Sequence, residues 1–434
     1  MQLMTPAIAC ALFLISAPGF AQVPAPAVAG APALAPLTLQ EALARAALAN
    51  PALRAKQAQL AAAEGARTDA NALLFNNPQL SVDQTQRKVP QPGSGNAQRG
   101  EWGAGLSQAF ETGGQGRFRR DATAAALEAL RYEIADTQRQ VRSEVTSRFY
   151  RVLTLQQRIE LETQALKLFD DAAAAVQKRR QAGEDTKLDA NVAKVEAERA
   201  RNQLAVAQEQ LIEARSDLAA VLQMTGSALP QALAQGDLAP VAPEFTLNDL
   251  LSNLDAQPRL RALAEREKSA NARLRLQNAS VYPDVTVGVN VAREGPGIAR
   301  ERLTTLSVSV PLPLFKRNAA GIGQAATDAT QAQIEREAAL RDTRASVTAL
   351  WFRLASQEQR VRRLEESVVP ALTENQSLSI KSRQAGQIGL LELIVVNRQA
   401  LDARRDLINA HSDYHTTRAT LELTSGWPRE GNQP

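Results

Sequence analysis

The stretch Val145-Thr146-Ser147-Arg148-Phe149-Tyr150-Arg151 returns in the second half of the chain as Val347-Thr348-Ala349-Leu350-Trp351-Phe352-Arg353. Three other blocks return with it, in the same order. Leu37-Thr38-Leu39-Gln40-Glu41-Ala42-Leu43 is matched by Phe245-Thr246-Leu247-Asn248-Asp249-Leu250-Leu251. Asn50-Pro51-Ala52-Leu53-Arg54 is matched by Gln257-Pro258-Arg259-Leu260-Arg261, and Arg180-Gln181-Ala182-Gly183 by Arg383-Gln384-Ala385-Gly386. The offset stays near 200–208 residues throughout. Chance likeness between Ala-rich helices would not preserve both order and spacing, so the chain is one unit written twice.

Each unit contains long helices. Val145, Val152, Ile159, Leu166 and Ala173 recur every seventh residue, with Leu155, Phe169 and Val176 between them. Val347, Leu354, Val361 and Val368, with Leu350 and Leu364, repeat the scheme. This is the apolar seam of a coiled coil. A helix from about Gly116 to Gln181 would run about 100 Å at 1.5 Å per residue. It turns at Gly183 and returns from about Thr186; its counterpart turns at Gly386–Gly389. Pro370 is expected to kink the second outgoing helix, because it lacks a backbone donor.

Strand-like runs precede each helical hairpin. Val285, Val287, Val289 and Val291 alternate with Thr286, Gly288 and Asn290; Leu306, Val308, Val310 and Leu312 alternate with Ser307, Ser309 and Pro311. The first unit offers Leu80 and Val82, then Trp102, Ala104, Leu106 and Phe110 on one face. Polar, Gly-containing loops (87–100 and 293–302) join each pair. These lengths suit tilted membrane strands, although hairpins on a soluble domain would alternate similarly. Four strands cannot close a membrane barrel, whereas three chains would supply twelve. Phe75, Phe110, Tyr282 and Phe315 fall at one rim, where they suit either an interfacial aromatic girdle or packing at helix–strand joints.

Composition narrows the class. Of 434 residues, 44% are apolar and only 4% aromatic, which favours long helices over an aromatic-rich β-core. A net charge of +4, with both signs interspersed, argues against a nucleic-acid surface. The start reads as a secretory signal: Ala7–Ile15 is apolar and Gly19-Phe20-Ala21 offers a cleavage site, although residues 1–21 carry no Lys or Arg. The sole cysteine, Cys10, lies inside that segment, which leaves no disulfide and no thiolate metal site after cleavage. No later stretch is long and apolar enough for a transmembrane helix. The chain therefore divides into a signal peptide (1–21), an Ala/Pro-rich leader (22–36), a first repeat (37–225), a linker (226–244), a second repeat (245–427) and a tail (428–434). The expected strands are about 79–86, 102–112, 284–292 and 303–312; the hairpins are about 116–224 and 319–424.

These residues resemble the TolC family of outer-membrane efflux proteins, with Ala47-Leu48-Ala49-Asn50-Pro51-Ala52-Leu53 similar to its N-terminal signature. Asn77-Pro78-Gln79-Leu80-Ser81-Val82 and Leu106-Ser107-Gln108-Ala109-Phe110-Glu111-Thr112-Gly113-Gly114-Gln115 resemble the CzcC-like branch that serves cobalt–zinc–cadmium pumps. In that branch a basic residue usually follows Gly-Gly sooner than Arg117 does here. The resemblance implies a mainly α chain with a small β part. Three copies would build a twelve-stranded outer-membrane β-barrel and a periplasmic α-barrel of antiparallel helical hairpins. It also implies an outer-membrane location, an RND-type inner-membrane pump and a periplasmic adaptor as partners, and a cargo of divalent heavy-metal cations. A drug or organic-solute duct remains open within the family, and a non-pore periplasmic coiled-coil scaffold outside it. Hairpin-tip glycines Gly183, Gly386 and Gly389 would meet adaptor or pump. Family carboxylates narrow the entrance, and Gly386-Gln387-Ile388-Gly389-Leu390-Leu391-Glu392 matches that segment. Glu392, with its first-repeat counterpart Asp189, is thereby an entrance candidate, or else a carboxylate favoured by a helix N-terminus. The next family carboxylate would fall on Val395, which is apolar.

No phosphate-binding loop and no hydrolase nucleophile motif is present, so the expectation is a non-enzyme without cofactor, powered by its partners. His411 and His415 share one helical face with Asp413 between them. Two ligands are too few for a tight metal site, and the pair reads as an exposed polar face.

Overall fold

The computed structural model describes residues 37–91, 93, 95–224, 234–295 and 300–427. The expected signal peptide with Cys10, the Ala/Pro-rich leader, linker residues 226–233 and the tail 428–434 lie outside the described residues. In chain order the elements are α1 (Leu39–Ala49), α2 (Pro51–Ala70), β1 (Gln79–Gln91), β2 (Gly95–Phe110), α3 (Gln115–Gln181) and α4 (Lys187–Val221). The second set is α5 (Leu247–Ser252), α6 (Pro258–Ala279), β3 (Val285–Glu294), β4 (Glu301–Ser309), α7 (Ala319–Arg363), α8 (Val369–Gln384) and α9 (Leu390–Ser425). A 3₁₀ turn (Leu254–Ala256) joins α5 to α6, and a π turn (Leu364–Val368) joins α7 to α8.

The repeated motifs are helix ends. Thr38 and Glu41 form a capping box at α1, and Thr246 and Asp249 form its copy at α5. Asn50 closes α1 and opens α2: its Oδ1 accepts from the Ala52 and Leu53 amides while Pro51 occupies the first turn. Gln257 and Pro258 repeat the device at α6. Each satisfies donors that a helix start leaves unpaired, and proline fits there because its missing N–H is not needed.

α3 runs for 67 residues, about 100 Å, and packs against α2, α4, α6 and α9. Val145 and its repeat-mate Val347 are both fully buried, each in the core of its own repeat. Farther along, the seam joins the repeats. Leu161, Ala165 and Phe169 meet Leu401, and Val176 and Ala193 meet Leu390 and Ile394. Ile159, Leu166 and Ala173 are only partly buried, because α3 turns its stripe from one neighbour to the next.

The irregularity expected at Pro370 takes the form of the π turn just before it. The Val369 N–H bonds Leu364 O, five residues back, and the next residue has no N–H to give. The path from Val347 to Arg383 is one residue longer than the path from Val145 to Arg180. A π turn absorbs one extra residue, so it marks where the copies diverged in length.

The strands form one antiparallel sheet in the order β1-β2-β3-β4. The strands run longer toward their hairpin loops than expected, and β4 ends earlier. The loop expected over 87–100 is largely ladder, because β1 extends to Gln91 and pairs with Gly95. Strand β4 ends at Ser309 rather than near 312, since Pro311 cannot donate to a ladder. No described helix is long and apolar enough to cross a membrane.

A buried ion cluster ties the repeats. Glu162 on α3 is fully buried and accepts from Arg405 Nε and Nη2 on α9 at 2.9 and 2.6 Å, and from Arg158. Arg405 also reaches Gln203 on α4 at 2.6 Å. Burial opposes ionisation of Glu162, but the bonds and charges of Arg405 and Arg158 outweigh it and hold the carboxyl below its ordinary value. With a depressed folded value, its stabilisation is present above the ordinary carboxylate pKa and is lost as pH falls through the folded value. Glu162→Gln is therefore expected to cost about 3 kcal/mol at neutral pH, since it leaves a buried cation poorly compensated. It should also flatten the fall in thermal midpoint expected of the natural protein below about pH 5. Melting the detergent-solubilised pair across pH checks both.

Candidate functional site

The sheet has two chemically opposite faces. One carries Leu80 and Val82 of β1, Trp102, Ala104, Leu106 and Phe110 of β2, alternate valines 285–291 of β3, and Leu306 and Val308 of β4. On it Leu80, Val82, Leu306 and Val308 are 74%, 75%, 71% and 65% exposed. The other face carries Ser81, Asp83, Glu101, Gly103, Gly105, Ser107, Gly288, Asn290 and Ser307, and here Glu101, Gly103, Gly105 and Gly288 are buried. A Cβ on Gly105 would lie 2.8 Å from Ser81 Oγ, and one on Gly288 2.8 Å from Ser307 Oγ, so small residues let the polar face curve inward. Apolar outside and polar inside inverts a water-soluble sheet. Each exposed Leu or Val forgoes about 1.5–3 kcal/mol that burial would supply. The apolar band from Val285 to Val291 spans about 20 Å along the strand, close to the apolar band of a membrane barrel. Among the described residues both edge strands, β1 and β4, are unpaired on their outer sides.

All four strands meet their helices at one end of the sheet, where Phe110 pairs with Val285 and Thr286 with Ser309. Phe75, Phe110, Tyr282 and Phe315 are exposed at that end. Arg119, paired with Glu111, lies 3.4 Å over the Phe75 ring.

At the far end of the helices the two repeats form matched tips. Gly183 (φ 81°) and Gly386 (φ 73°) occupy the left-handed position after α3 and α8. The next amides, Glu184 and Gln387, reach back to Arg179 O and Ser382 O at 2.9 and 2.8 Å. This closure needs positive φ, which glycine adopts without cost. Gly389 differs: its φ is −75° and it is the N-cap of α9.

Asp189 and Glu392 occupy equivalent third positions in α4 and α9. Asp189 Oδ2 accepts from Thr186 Oγ1 (2.6 Å) and its amide (3.1 Å), and those bonds hold its carboxyl below the usual range. Glu392 Oε2 accepts from the Gly389 amide at 2.8 Å and is exposed. Both carboxylates thus cap helix starts, and Val395 lies exposed one turn beyond Glu392.

Sequence reading missed what joins the tips. Arg383 reaches Asp185 at 3.1 and 3.3 Å and Ile388 O at 3.2 Å. Asp185 is nearly buried and also faces Arg179 at 3.3 Å. Arg398 binds Glu196 in the same cross-repeat sense. The Arg-Gln-Ala-Gly repeat flags Arg383, but its partner lies 198 residues away, in the other repeat.

His411 and His415 are buried, not an exposed face as expected: the inter-repeat linker meets His415 and the π turn meets His411. His415 stacks on Tyr150 (3.8 Å between ring centres) and bonds Leu238 O at 3.0 Å; burial lowers its pKa to about 4. His411 faces Glu365 of the π turn at 3.1 Å. The imidazoles hold separate partners, and no group of three or more metal-type ligands occurs among the described residues.

A long paired-hairpin shaft carrying one sector of an inside-out sheet is the wall of a membrane channel. The chain belongs to the outer membrane efflux protein family, whose profile matches residues 39–223 and 250–426, one match per repeat. It is 27% identical over 402 residues to the cobalt-zinc-cadmium resistance protein CzcC of Cupriavidus metallidurans, covering 91% of each chain. Among solved structures it is similar to the outer membrane protein VceC of Vibrio cholerae (TM-score 0.78, 19% identity, 89% of this chain and 96% of that one). It is also similar to the open-state MtrE outer membrane channel of Neisseria gonorrhoeae (TM-score 0.71, 18% identity, 89% and 88%).

Two outcomes are expected. Leu306→Arg places a charge on the apolar face and should cost about 2–4 kcal/mol, removing the protein from the outer-membrane fraction, while Ser307→Arg one residue on should leave it there. Arg383→Ala should accelerate amide hydrogen exchange at 183–189 and 386–392 together, whereas independent tips would respond only around the mutated residue.

Proposed function

We propose that three copies close a twelve-stranded barrel by pairing β4 of one chain with β1 of the next, with the helices continuing as a periplasmic α-barrel. In this reading Phe75, Phe110, Tyr282 and Phe315 form the aromatic belt at the periplasmic rim of the bilayer. The duct passively exports divalent heavy-metal cations, delivered by an RND-type inner-membrane pump through a periplasmic adaptor that meets the tips at Gly183, Gly386 and Gly389. The observation that carries the cargo is the likeness to a cobalt-zinc-cadmium resistance protein over nine-tenths of both chains.

Glu392 and Asp189 ring the entrance in this assembly. Three copies of each would concentrate cations and disfavour anions. Capping and entrance roles are separable: Glu392→Gln keeps an oxygen for the Gly389 amide but removes the charge. It is expected to lower the cation-to-anion permeability ratio in a planar bilayer with the fold intact; an unchanged ratio would restrict Glu392 to capping.

The cargo is tested by growth of a deletion strain on graded zinc, cobalt, cadmium, nickel and copper salts beside dyes and antibiotics. Selective metal sensitivity, restored by the gene, is expected. Sensitivity to organic compounds with normal metal tolerance would instead make the chain an organic-solute duct.

A further inference from the structure

The end of the sheet away from the helices carries a row that the channel role does not use. On the apolar face the register sets Gln84 beside Trp102, Trp102 beside Arg293, and Arg293 beside Arg302, one residue from each strand. The Arg293 guanidinium lies 5.7 Å from the Trp102 ring centre. Both arginines are exposed, and neither has a carboxylate partner among the described residues. The nearby carboxylates point the other way. Glu294 and Glu301 are paired on the polar face, and Glu101 there is held by Arg87 at 3.3 Å. Like charges directly opposed on neighbouring strands repel, and an anion lying between the two guanidinium groups would relieve that repulsion. The next row inward is Val82, Ala104, Val291 and Thr304, which begins the apolar band.

We propose that Arg293 and Arg302, with Trp102 as a flanking platform, bind the head-group phosphate of a glycolipid in the outer leaflet. The inference rests on the membrane reading of the sheet, which puts this row on the outer-leaflet side, because the helices leave from the opposite end and only the β1–β2 hairpin extends beyond it. A phosphate spanning two guanidinium forks would form charge-assisted bonds and cancel the cross-strand repulsion. Its acyl chains would lie along the valine and leucine band directly below. Trp102 suits that depth, where an amphipathic ring sits at the head-group level. Three such rows would surround the assembled barrel, each holding lipid on the side facing away from the lumen.

The test uses the full-length protein, purified from the outer-membrane fraction in neutral detergent. Binding of diphosphoryl lipid A is compared with that of its dephosphorylated form, by retention on the protein in native mass spectrometry. The diphosphoryl form should bind the natural protein in preference, and Arg293→Gln with Arg302→Gln should weaken it about tenfold or more. Arg293→Lys with Arg302→Lys keeps the charge but not the fork geometry and should bind more tightly than the glutamine pair, which separates phosphate recognition from misfolding. Equal binding of the two lipids, or undiminished binding by the glutamine pair, would overturn the proposal. Absence of the natural protein from the outer-membrane fraction would instead overturn the membrane reading itself, and this proposal with it.

Discussion

The structure depends on backbone hydrogen bonds that one chain cannot complete. A sheet with an apolar outer face belongs in hydrocarbon, and no water there can satisfy the outer N–H and C=O groups of β1 and β4. A helix completes its own ladder, but a four-stranded sheet leaves two edges open. Strands of this number cannot curl onto themselves, so the missing partners must come from other copies. The long helices answer the same constraint differently. They keep the shaft in water, with an ordinary buried seam, while carrying the strands at one end.

Two repeats joined in one chain make that arrangement cooperative. Each has its own core around Val145 or Val347, so each hairpin is anchored near the middle of its long helix. From there toward the tips, the apolar seam between the repeats is joined by ion pairs that cross between them: Glu162 with Arg405, Glu196 with Arg398, and Asp185 with Arg383. These pairs descend toward the tips, where apolar burial is thinner and solvent is close. Ion pairs there specify how the hairpins sit side by side at modest energetic cost, and they can part without dismantling a core. The linker is fixed by similar means: Gln156 holds both backbone groups of Ala234, while Tyr414 and Arg418 converge on Val241 O.

The rims of the sheet carry different chemistry. Four aromatics mark the end nearest the helices, and Trp102 with Arg293 and Arg302 marks the other. Between them the outer face is aliphatic apart from a few polar side chains such as Gln108 and Thr304, while the inner face is lined with Ser, Gly, Asn and carboxylates. One period-two alternation therefore specifies both a lipid-facing surface and a polar lumen wall.

Much of this was legible in the amino-acid order. Duplication, heptads, capping motifs and alternating strands are local patterns with periods fixed by backbone geometry, so they name helices, strands and tip glycines directly. The carboxylates Asp189 and Glu392 were visible for the same reason, since a helix start announces itself within four residues. Tertiary structure alone decided what depends on distant residues: the Arg383–Asp185 tie, the buried Glu162 cluster, the burial of His411 and His415, and the row of Trp102, Arg293 and Arg302. Those contacts join positions set by strand register and by packing between repeats, and neither leaves a short-range period in the sequence.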